Sequence, residues 1–382
     1  MNPIFRFTLL FNLILAGLGF IDGIAIPLNE KRCLSVSSTA ILQNLNIKRE
    51  EQLETIRLDV KAEGAAYTVQ MVIDGILLDI HVDTGSSQLW AAHKSCENCV
   101  SGKMTVIDTE IPDDCSDQVK IQYATGSVSG CLVNTTISLG QHTLESYPLL
   151  VATDISAEIA ANGDIYSGTF GLASDSLTNS GSPPVLSQLY KDNKIGSPEV
   201  SFYLPRQTAS EFAQSGMFIG DPARTQYADI TNFAVLSRAG NNDGLYAVKM
   251  DSISVDGKAI TFDQVAVLDT GSAGIGYPSS LSGSMMPAIY GELEAEAGGA
   301  KVSCTASSDD LSLRFQFEGK NFPVRYENLV SKPDGDGKCW ALVGTYQSDS
   351  EDKWILGNAF LHNVYHSINI DSGEVKIFAL ND

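Results

Sequence analysis

The chain has 382 residues, of which 43% are hydrophobic and 19% charged, a composition that can build a core and excludes a wholly disordered protein. It carries 25 Lys and Arg against 46 Asp and Glu, for a net charge of −21 at pH 7. Because nucleic-acid binding depends on basic groups that meet phosphates, this acidity argues against a nucleic-acid partner.

The N-terminus has the features of a secretory signal peptide. Arg6 is the only charge before an apolar run at residues 8–20, and Gly23-Ile24-Ala25 offers a small-residue cleavage site. The run has thirteen residues, whereas a membrane-spanning helix needs about 20. We therefore predict a signal peptide at residues 1–25, no membrane anchor, and a secreted, extracellular protein, with a vacuolar destination as the alternative.

Two dibasic pairs, Lys31-Arg32 and Lys48-Arg49, follow the signal peptide. Cleavage after the second pair would release residues 26–49, which carry a net charge of +3, as a propeptide. We therefore predict a zymogen whose mature chain begins near Glu50.

The cysteines predict disulfide bonds. Of seven cysteines, six remain once Cys33 is removed with the propeptide, an even number that suits an oxidising compartment. Cys304 and Cys339 lie far from the other four in sequence, so we predict that they pair. The first-half cysteines pair among themselves in one of three ways that the sequence does not decide: Cys96, Cys99, Cys115 and Cys131. Cys96-x-x-Cys99 could also be a zinc or redox motif, but no second such motif or histidine pair accompanies it.

Apolar and alternating runs separated by Gly, Asp, Asn and Ser predict a mainly β protein. The predicted strands are residues 67–73, 77–82, 119–123, 136–139, 249–255, 311–317 and 373–380. Helix is predicted chiefly at residues 184–191 and 287–296.

Two motifs occur twice, in the same order and at the same spacing. Residues 82–86 read Val-Asp-Thr-Gly-Ser and residues 268–272 read Leu-Asp-Thr-Gly-Ser. A second pair, Phe-Gly-Leu-Ala and Leu-Gly-Asn-Ala, places its glycine 88 residues after each aspartate. The repeat therefore predicts two lobes built on one plan.

The duplicated aspartates, Asp83 and Asp269, suggest acid–base chemistry. Each follows an apolar strand and enters a turn in which glycine permits a close bend. If twofold symmetry brings the turns together, the two carboxylates cannot both ionise cheaply, and they share one proton. The ionised group can then take a proton from water while the protonated group donates to a peptide carbonyl. Such a site hydrolyses amides with no metal and no cofactor.

The sequence resembles the pepsin family of aspartic endopeptidases, and its secreted fungal members in particular, over about residues 50–382. Besides the two Asp-Thr-Gly-Ser turns, residues 121–130 resemble the family's flap, the hairpin that closes over substrate. The resemblance implies a bilobal fold with an N-terminal β lobe at 50–222, a C-terminal β lobe at 223–382 and a central cleft. It also places a C-terminal disulfide at Cys304 and Cys339.

The resemblance implies a role for each matching residue. Asp83 and Asp269 form the catalytic pair, and the flap carries Tyr123 with its hydroxyl held by the indole of Trp90. Thr84 and Thr270 bridge the two turns, while Ser86 and Ser272 bond the outer carboxylate oxygens. Four more residues line the substrate site: Gly85, Thr125, Gly126 and Gly271.

His81 is unusual for this family, in which the position two before the first aspartate is commonly apolar and lines the pocket for the residue before the cut. Alternate residues of a strand share a face, so His81 lies on the side of Asp83 while Ile80 and Val82 enter the core. With a pKa near ~6.5 it would be cationic in acid. The alternative is a buried, neutral ring bonded to a neighbour.

The implied function is acid hydrolysis of polypeptides, with a preference for bulky apolar residues flanking the cut, inhibition by pepstatin-type inhibitors, and a monomeric state. The alternative is a catalytically silent pepsin-fold binding protein or inhibitor. Such a chain should have lost part of the motif, yet both aspartates, the glycines that follow them and Tyr123 are present.

The sequence also bears on glycosylation and on metal binding. Asn134-Thr135-Thr136 is a glycosylation sequon, and we predict a glycoprotein. The five histidines show no metal-ligand spacing, and Asp334 and Asp336 are interpreted as a solvated loop rather than a calcium site. We therefore predict no metal.

Overall fold

The computed structural model describes residues 54–113, 115, 118–178, 180–206, 215–239, 244–296, 299–306, 313–345 and 353–381. The predicted signal peptide and propeptide lie outside these ranges. In the described ranges, no helix combines the length and apolar character needed to cross a bilayer.

The described residues are mainly β, as predicted. The strands are β1 Glu54–Arg57, β2 Asp59–Lys61, β3 Ala66–Ile73, β4 Ile76–Asp83, β5 Leu89–Ala92, β6 Val119–Tyr123, β7 Gly126–Leu139, β8 His142–Ile155, β9 Gly168–Gly171, β10 Glu199–Tyr203, β11 Gly216–Ile219, β12 Ala228–Leu236, β13 Ala247–Val255, β14 Lys258–Leu268, β15 Ile275–Tyr277, β16 Glu294–Glu296, β17 Gly299–Val302, β18 Leu313–Phe317, β19 Lys320–Val324, β20 Cys339–Trp340, β21 Val343–Thr345, β22 Lys353–Leu356, β23 Val364–Asn369 and β24 Val375–Leu380.

The helices are short. They are α1 Glu97–Ser101, α2 Ala157–Ala160, α3 Val185–Lys191, α4 Ser282–Tyr290 and α5 Asn358–Leu361, with 3-10 turns at Ala62–Gly64, Asp175–Leu177, Ser279–Leu281 and Tyr326–Asn328. The helix predicted at 184–191 matches α3, but the one predicted at 287–296 is wrong beyond residue 290. Gly291 takes a left-handed φ of 66° that ends α4, and residues 294–296 continue as strand β16.

Each half of the chain builds one large sheet. The N-terminal sheet has eight strands in the order β2-β3-β4-β9-β5-β8-β7-β6, and the C-terminal sheet has seven in the order β19-β18-β13-β14-β22-β15-β21. In both sheets the strand that leads to an aspartate pairs in parallel with the strand that carries the second repeated motif, β4 with β9 and β14 with β22. The bilobal pepsin-like fold is confirmed.

A third sheet joins the halves. Its six strands run in the order β1-β11-β10-β23-β24-β12, so it combines strands from both ends of the chain. Its strands therefore come from both sides of the lobe boundary predicted at 222 and 223. The position of that boundary stays a prediction. A small three-stranded sheet, β16-β17-β20, lies apart.

The alternation of strand β4 explains how a core strand delivers a polar residue to the site. Leu78, Ile80 and Val82 are buried in the main hydrophobic core. His81, between them, points to the opposite face and is partly exposed. Because successive side chains of a strand alternate, the same backbone packs the lobe and places Asp83 at the end of the strand.

The structure contains three disulfide bonds among the described residues. Cys304–Cys339 is present as predicted, with a Cα–Cα distance of 5.1 Å. In the first half the pairs are Cys96–Cys99 and Cys115–Cys131, which selects one of the three alternatives. Cys96 and Cys99 are fully buried at the start of α1, so the zinc or redox interpretation is not supported, since reactive cysteines are partly exposed.

Candidate active site

The two Asp-Thr-Gly-Ser turns meet through reciprocal hydrogen bonds between their threonines. The backbone N–H of Thr84 donates to Thr270 Oγ1 at 3.0 Å, and the N–H of Thr270 donates to Thr84 Oγ1 at 3.0 Å. Each threonine hydroxyl then donates to the backbone carbonyl that precedes the opposite aspartate. Thr84 donates to Leu268 at 2.8 Å, and Thr270 donates to Val82 at 2.9 Å. Both threonines are fully buried, so the turns are held in one fixed arrangement.

Each turn also fixes its own carboxylate. The N–H of Gly85 donates to Asp83 Oδ1 at 2.8 Å, and the hydroxyl of Ser86 donates to Asp83 Oδ2. In the second turn the N–H of Gly271 donates to Asp269 Oδ1 at 2.9 Å, and Ser272 Oγ to Asp269 Oδ2 at 2.6 Å. The matched bonds show that the sequence repeat is a repeat of local structure.

The second repeated motif supports these turns from behind. The N–H of Gly171 donates to the carbonyl of Gln88 at 3.2 Å, and that of Gly357 to the carbonyl of Gly274 at 3.1 Å. A Cβ at Gly171 would lie 2.3 Å from the Gln88 nitrogen, and one at Gly357 2.3 Å from the Gly274 oxygen. Only glycine permits this approach, which is why the motif recurs at a fixed distance after each aspartate.

The two carboxyl groups are in contact. A Cβ on Gly85 would lie 2.6 Å from Asp269 Oδ1, and one on Gly271 would lie 2.3 Å from Asp83 Oδ1. Each turn glycine therefore packs directly on the opposite aspartate. The same Cβ on Gly271 would lie 3.2 Å from Asp269 Oδ1, so one oxygen of each carboxyl group lies beside this glycine.

Burial and proximity change the acidity of both groups. Burial raises the pKa of Asp83, against the hydrogen bonds from Ser86 and Gly85, which favour its ionised form. Burial and then the charge of Asp83 raise the pKa of Asp269 to about 7. A pair of buried carboxyl groups at this distance holds one proton across the acid range, because the second ionisation would put two negative charges in contact.

The hairpin of β6 and β7 brings a tyrosine to this pair. Trp90 Nε1 donates to the hydroxyl of Tyr123 at 3.0 Å. Ser86, which holds Asp83, also acts on the pKa of that hydroxyl and lowers it. Burial and the charge of Asp83 raise the pKa of Tyr123 above its usual range, so it stays protonated. Trp90 itself is buried, so the indole that holds the hydroxyl is fixed by the packing around it.

The tip of the hairpin is open to solvent. Thr125 is exposed, and the neighbouring Gly126 packs against Ser156, whose Oγ would lie 2.0 Å from a Cβ at that position. Ser156 precedes α2 and also accepts a bond from the Ser127 N–H at 3.3 Å. The start of β7, next to the tip of the hairpin, therefore contacts the residue that precedes α2, a contact that the sequence did not indicate.

The structure limits the acid range in which His81 is a cation to pH values below about 4. Burial lowers the pKa of His81 to about 4, although the charge of Asp269 opposes the shift. The ring stacks on Tyr166 with centroids 4.9 Å apart and an interplanar angle of 16°. Its Nε2 is buried and has no hydrogen-bond partner among the described residues. The alternative prediction of a ring hydrogen-bonded to a neighbour therefore does not hold for Nε2.

Tyr166 is a site residue that the sequence analysis missed. Burial and the charge of Asp83 raise the pKa of Tyr166 to about 12, which places its hydroxyl near the pair. A signal was available, because Tyr166 precedes strand β9 and the parallel pairing of β9 with β4 sets Thr169 opposite His81.

Other predicted positions lie away from the pair. Asn134 is exposed on β7, where a glycan would be accessible. Asp334 and Asp336 both pair with Lys301, at 2.7 and 2.5 Å, so one cation offsets part of the charge of this acidic loop. Across the described ranges, no group of three or more His, Cys, Asp or Glu side chains is arranged to hold a metal ion.

Comparison with known sequences agrees with this geometry. Residues 73–380 match the family model for eukaryotic aspartyl proteases. The chain belongs to that family. It is 29% identical over 316 residues to Rhizopuspepsin-4 of Rhizopus niveus, an alignment that covers 81% of this chain and 75% of the relative.

Two further relatives span a wide range of organisms. The chain is 28% identical over 364 residues to an acid protease of Saccharomycopsis fibuligera, covering 91% of this chain and 88% of the relative. It is 26% identical over 290 residues to pepsin A of Bos taurus, covering 74% and 75%. The predicted resemblance to fungal members of the pepsin family is confirmed.

Proposed function

We propose that this aspartyl protease family member is a secreted endopeptidase that hydrolyses peptide bonds in acid, with water activated between Asp83 and Asp269. The observation that carries the proposal is the contact between the two carboxyl groups, each held by its own turn and packed on the other turn's glycine. Shared-proton chemistry is the established behaviour of such aspartate pairs, and the aspartic-protease pair is the standard example of it.

The chemistry follows from one proton on the pair. The ionised carboxylate accepts a proton from water, whose oxygen attacks the peptide carbonyl carbon, while the protonated carboxyl donates to the carbonyl oxygen. The tetrahedral intermediate then collapses: the C–N bond breaks, a carboxyl proton passes to the departing nitrogen, and one hydroxyl of the intermediate returns its proton to the pair as the carbonyl of the new carboxyl group forms. The pair regains its single proton at the end, so the cycle needs no external acid or base.

The flap supplies substrate contacts. The hydroxyl of its Tyr123 is held by the indole of Trp90. The hairpin has to open before a polypeptide can enter and close before water is excluded. Because the exposed tip carries Thr125 and no charge, we propose a preference for bulky apolar residues on both sides of the cut.

Maturation and destination complete the proposal. A signal peptide at residues 1–25 directs the chain to an extracellular or vacuolar compartment, and removal of residues 26–49 yields a monomeric mature enzyme that starts near Glu50. The three disulfide bonds support passage through an oxidising compartment. The exposed position of Asn134 supports its glycosylation.

The deciding experiment is cleavage of acid-denatured haemoglobin by the purified mature protein, with and without pepstatin. We expect cleavage in acid that pepstatin abolishes. Cleavage that pepstatin does not touch, or its appearance only at alkaline pH, would contradict the mechanism. Binding of pepstatin with no cleavage of any protein would instead support the alternative of a catalytically silent binding protein. Nothing about the intact aspartate pair favours that alternative.

A further inference from the structure

One face of the N-terminal sheet beside the aspartate pair is unexpectedly polar. Strands β3, β4 and β9 place Thr68, His81 and Thr169 side by side, because His81 is the direct partner of Thr68 in one pairing and of Thr169 in the other. Directly paired residues project to the same side of a sheet. The three side chains therefore form one surface, and Tyr166 stacks on its central ring.

This surface lies next to the reacting groups. The charge of Asp269 acts on the His81 ring, and the charge of Asp83 acts on the hydroxyls of both Tyr166 and Tyr123. The ring pair of His81 and Tyr166 thus stands beside the carboxyl pair, on the side that Tyr123 of the flap also approaches.

Two polar atoms of this surface are buried without a partner. Thr68 Oγ1 and His81 Nε2 form no hydrogen bond with any side chain or backbone group in the described part of the chain. Buried polar atoms are almost always bonded, and an exception near reacting groups calls for an explanation. Both orphan atoms belong to adjacent residues on one face, so a single incoming group can meet this surface.

We propose that His81, at a position that is commonly apolar in this family, sets a selectivity: its unpartnered Nε2 hydrogen-bonds a neutral polar group on the substrate side chain that meets this surface and so favours tyrosine over phenylalanine before the cut. This proposal rests on the proposed endopeptidase function and adds a selectivity to it. The opening of the flap that admits the polypeptide also gives its side chain access to the ring.

The chemistry of the surface selects tyrosine. The stacked rings offer a flat aromatic wall, which suits a planar side chain. A phenolic hydroxyl both donates and accepts, so it satisfies either tautomer of the neutral imidazole.

The test uses two peptides that differ only in Tyr or Phe before the cut, compared by kcat/KM at one acid pH above the His81 pKa. One hydrogen bond to a buried group corresponds to roughly a tenfold preference. We expect the wild-type protein to favour the tyrosine peptide about tenfold. In His81→Leu the ratio should fall to one or below.

Two further variants keep the test decisive. Tyr166→Phe retains the stacked ring and removes only the hydroxyl, so the tyrosine preference should persist. His81→Gln, which keeps a side-chain amide near the position of Nε2, should retain part of the preference and serves if His81→Leu does not fold. Each variant's folding is checked by thermal unfolding.

The outcomes separate the two proposals. Equal cleavage of both peptides by wild-type protein that digests haemoglobin would overturn the tyrosine selectivity and leave the endopeptidase function intact. A preference that survives in His81→Leu but is lost in Tyr166→Phe would also overturn the assignment to His81. Failure to cleave haemoglobin as well as both peptides would overturn the endopeptidase function and, with it, this inference.

Discussion

The glycine after each aspartate offers the sharpest test of how the pair is built. In Gly271→Ala the new Cβ would lie 2.3 Å from Asp83 Oδ1 and 2.6 Å from its Cγ, whereas ordinary contact begins at 3.4 Å. The carboxyl of Asp83 therefore has to move by about 1 Å, a displacement that costs about 10²-fold in rate when it occurs among reacting groups. Overpacking adds about 1–3 kcal/mol of destabilisation.

The assay is kcat on a single peptide, measured beside urea unfolding. We expect Gly271→Ala to lose about 10²-fold in kcat while remaining folded. The pH at which activity is lost should also fall, because separating the carboxyl groups weakens the effect that raises the pKa of Asp269. The loss reflects position, since the substitution removes neither carboxyl group of the pair.

A matched control comes from helix α4. A methyl group added at Gly283 would have no atom within 4 Å among the described residues, and the backbone there is not left-handed, so Gly283→Ala should leave kcat unchanged. It should raise stability by up to about 1 kcal/mol, since alanine favours helix. A Gly271→Ala protein with kcat within about threefold of wild type would refute the claim that the turn glycine sets the carboxyl contact.

Three further outcomes are expected. Thr270→Val removes two buried hydrogen bonds between the turns and should lower the free energy of unfolding in urea by about 3 kcal/mol; no loss would contradict the bridging role. The pKa of Asp269 is raised to about 7, so kcat should fall as the pH rises through 7. Because the folded protein holds this proton more tightly than the unfolded chain, protonation of Asp269 contributes stability that is complete below about pH 4 and is lost as the pH approaches 7. His366 is buried with both ring nitrogens unpartnered among the described residues, and burial lowers its pKa to about 3. The unfolded chain therefore binds a proton there between pH 6.5 and 3 that the folded chain excludes, and His366→Leu should lose less stability than wild type on acidification; parallel melting-temperature curves would contradict this.

The meeting of Asp83 and Asp269 could be predicted from the sequence because the motifs that indicate it are local and occur twice. Each aspartate, its threonine and its glycine occupy one tight turn, and the second motif has to supply a glycine wherever the backbone approaches that turn. Both lobes repeat the same parallel pairing, and the second motif follows the aspartate by 88 residues in each. Such constraints are visible in a single chain.

Features that depend on long-range packing were beyond the sequence. The pairing of Cys115 with Cys131 depends on where the segment before β6 meets β7, which composition does not reveal. The pH at which His81 becomes charged depends on its burial, which lowers its pKa to about 4, and neither that burial nor the stacking on Tyr166 is visible in the sequence. The end of α4 depends on the left-handed φ of Gly291, which the helical pattern of residues 287–296 concealed.

The most direct test of the central claim is the activity of Asp83→Asn and Asp269→Asn, each compared with wild type on one peptide across the acid range. An amide has nearly the shape of a carboxyl group but cannot take part in sharing the proton. We predict that each variant stays folded, binds peptide and loses at least about 10³-fold in kcat. Substantial turnover by either variant would contradict a mechanism in which the two aspartates act as one acid–base pair.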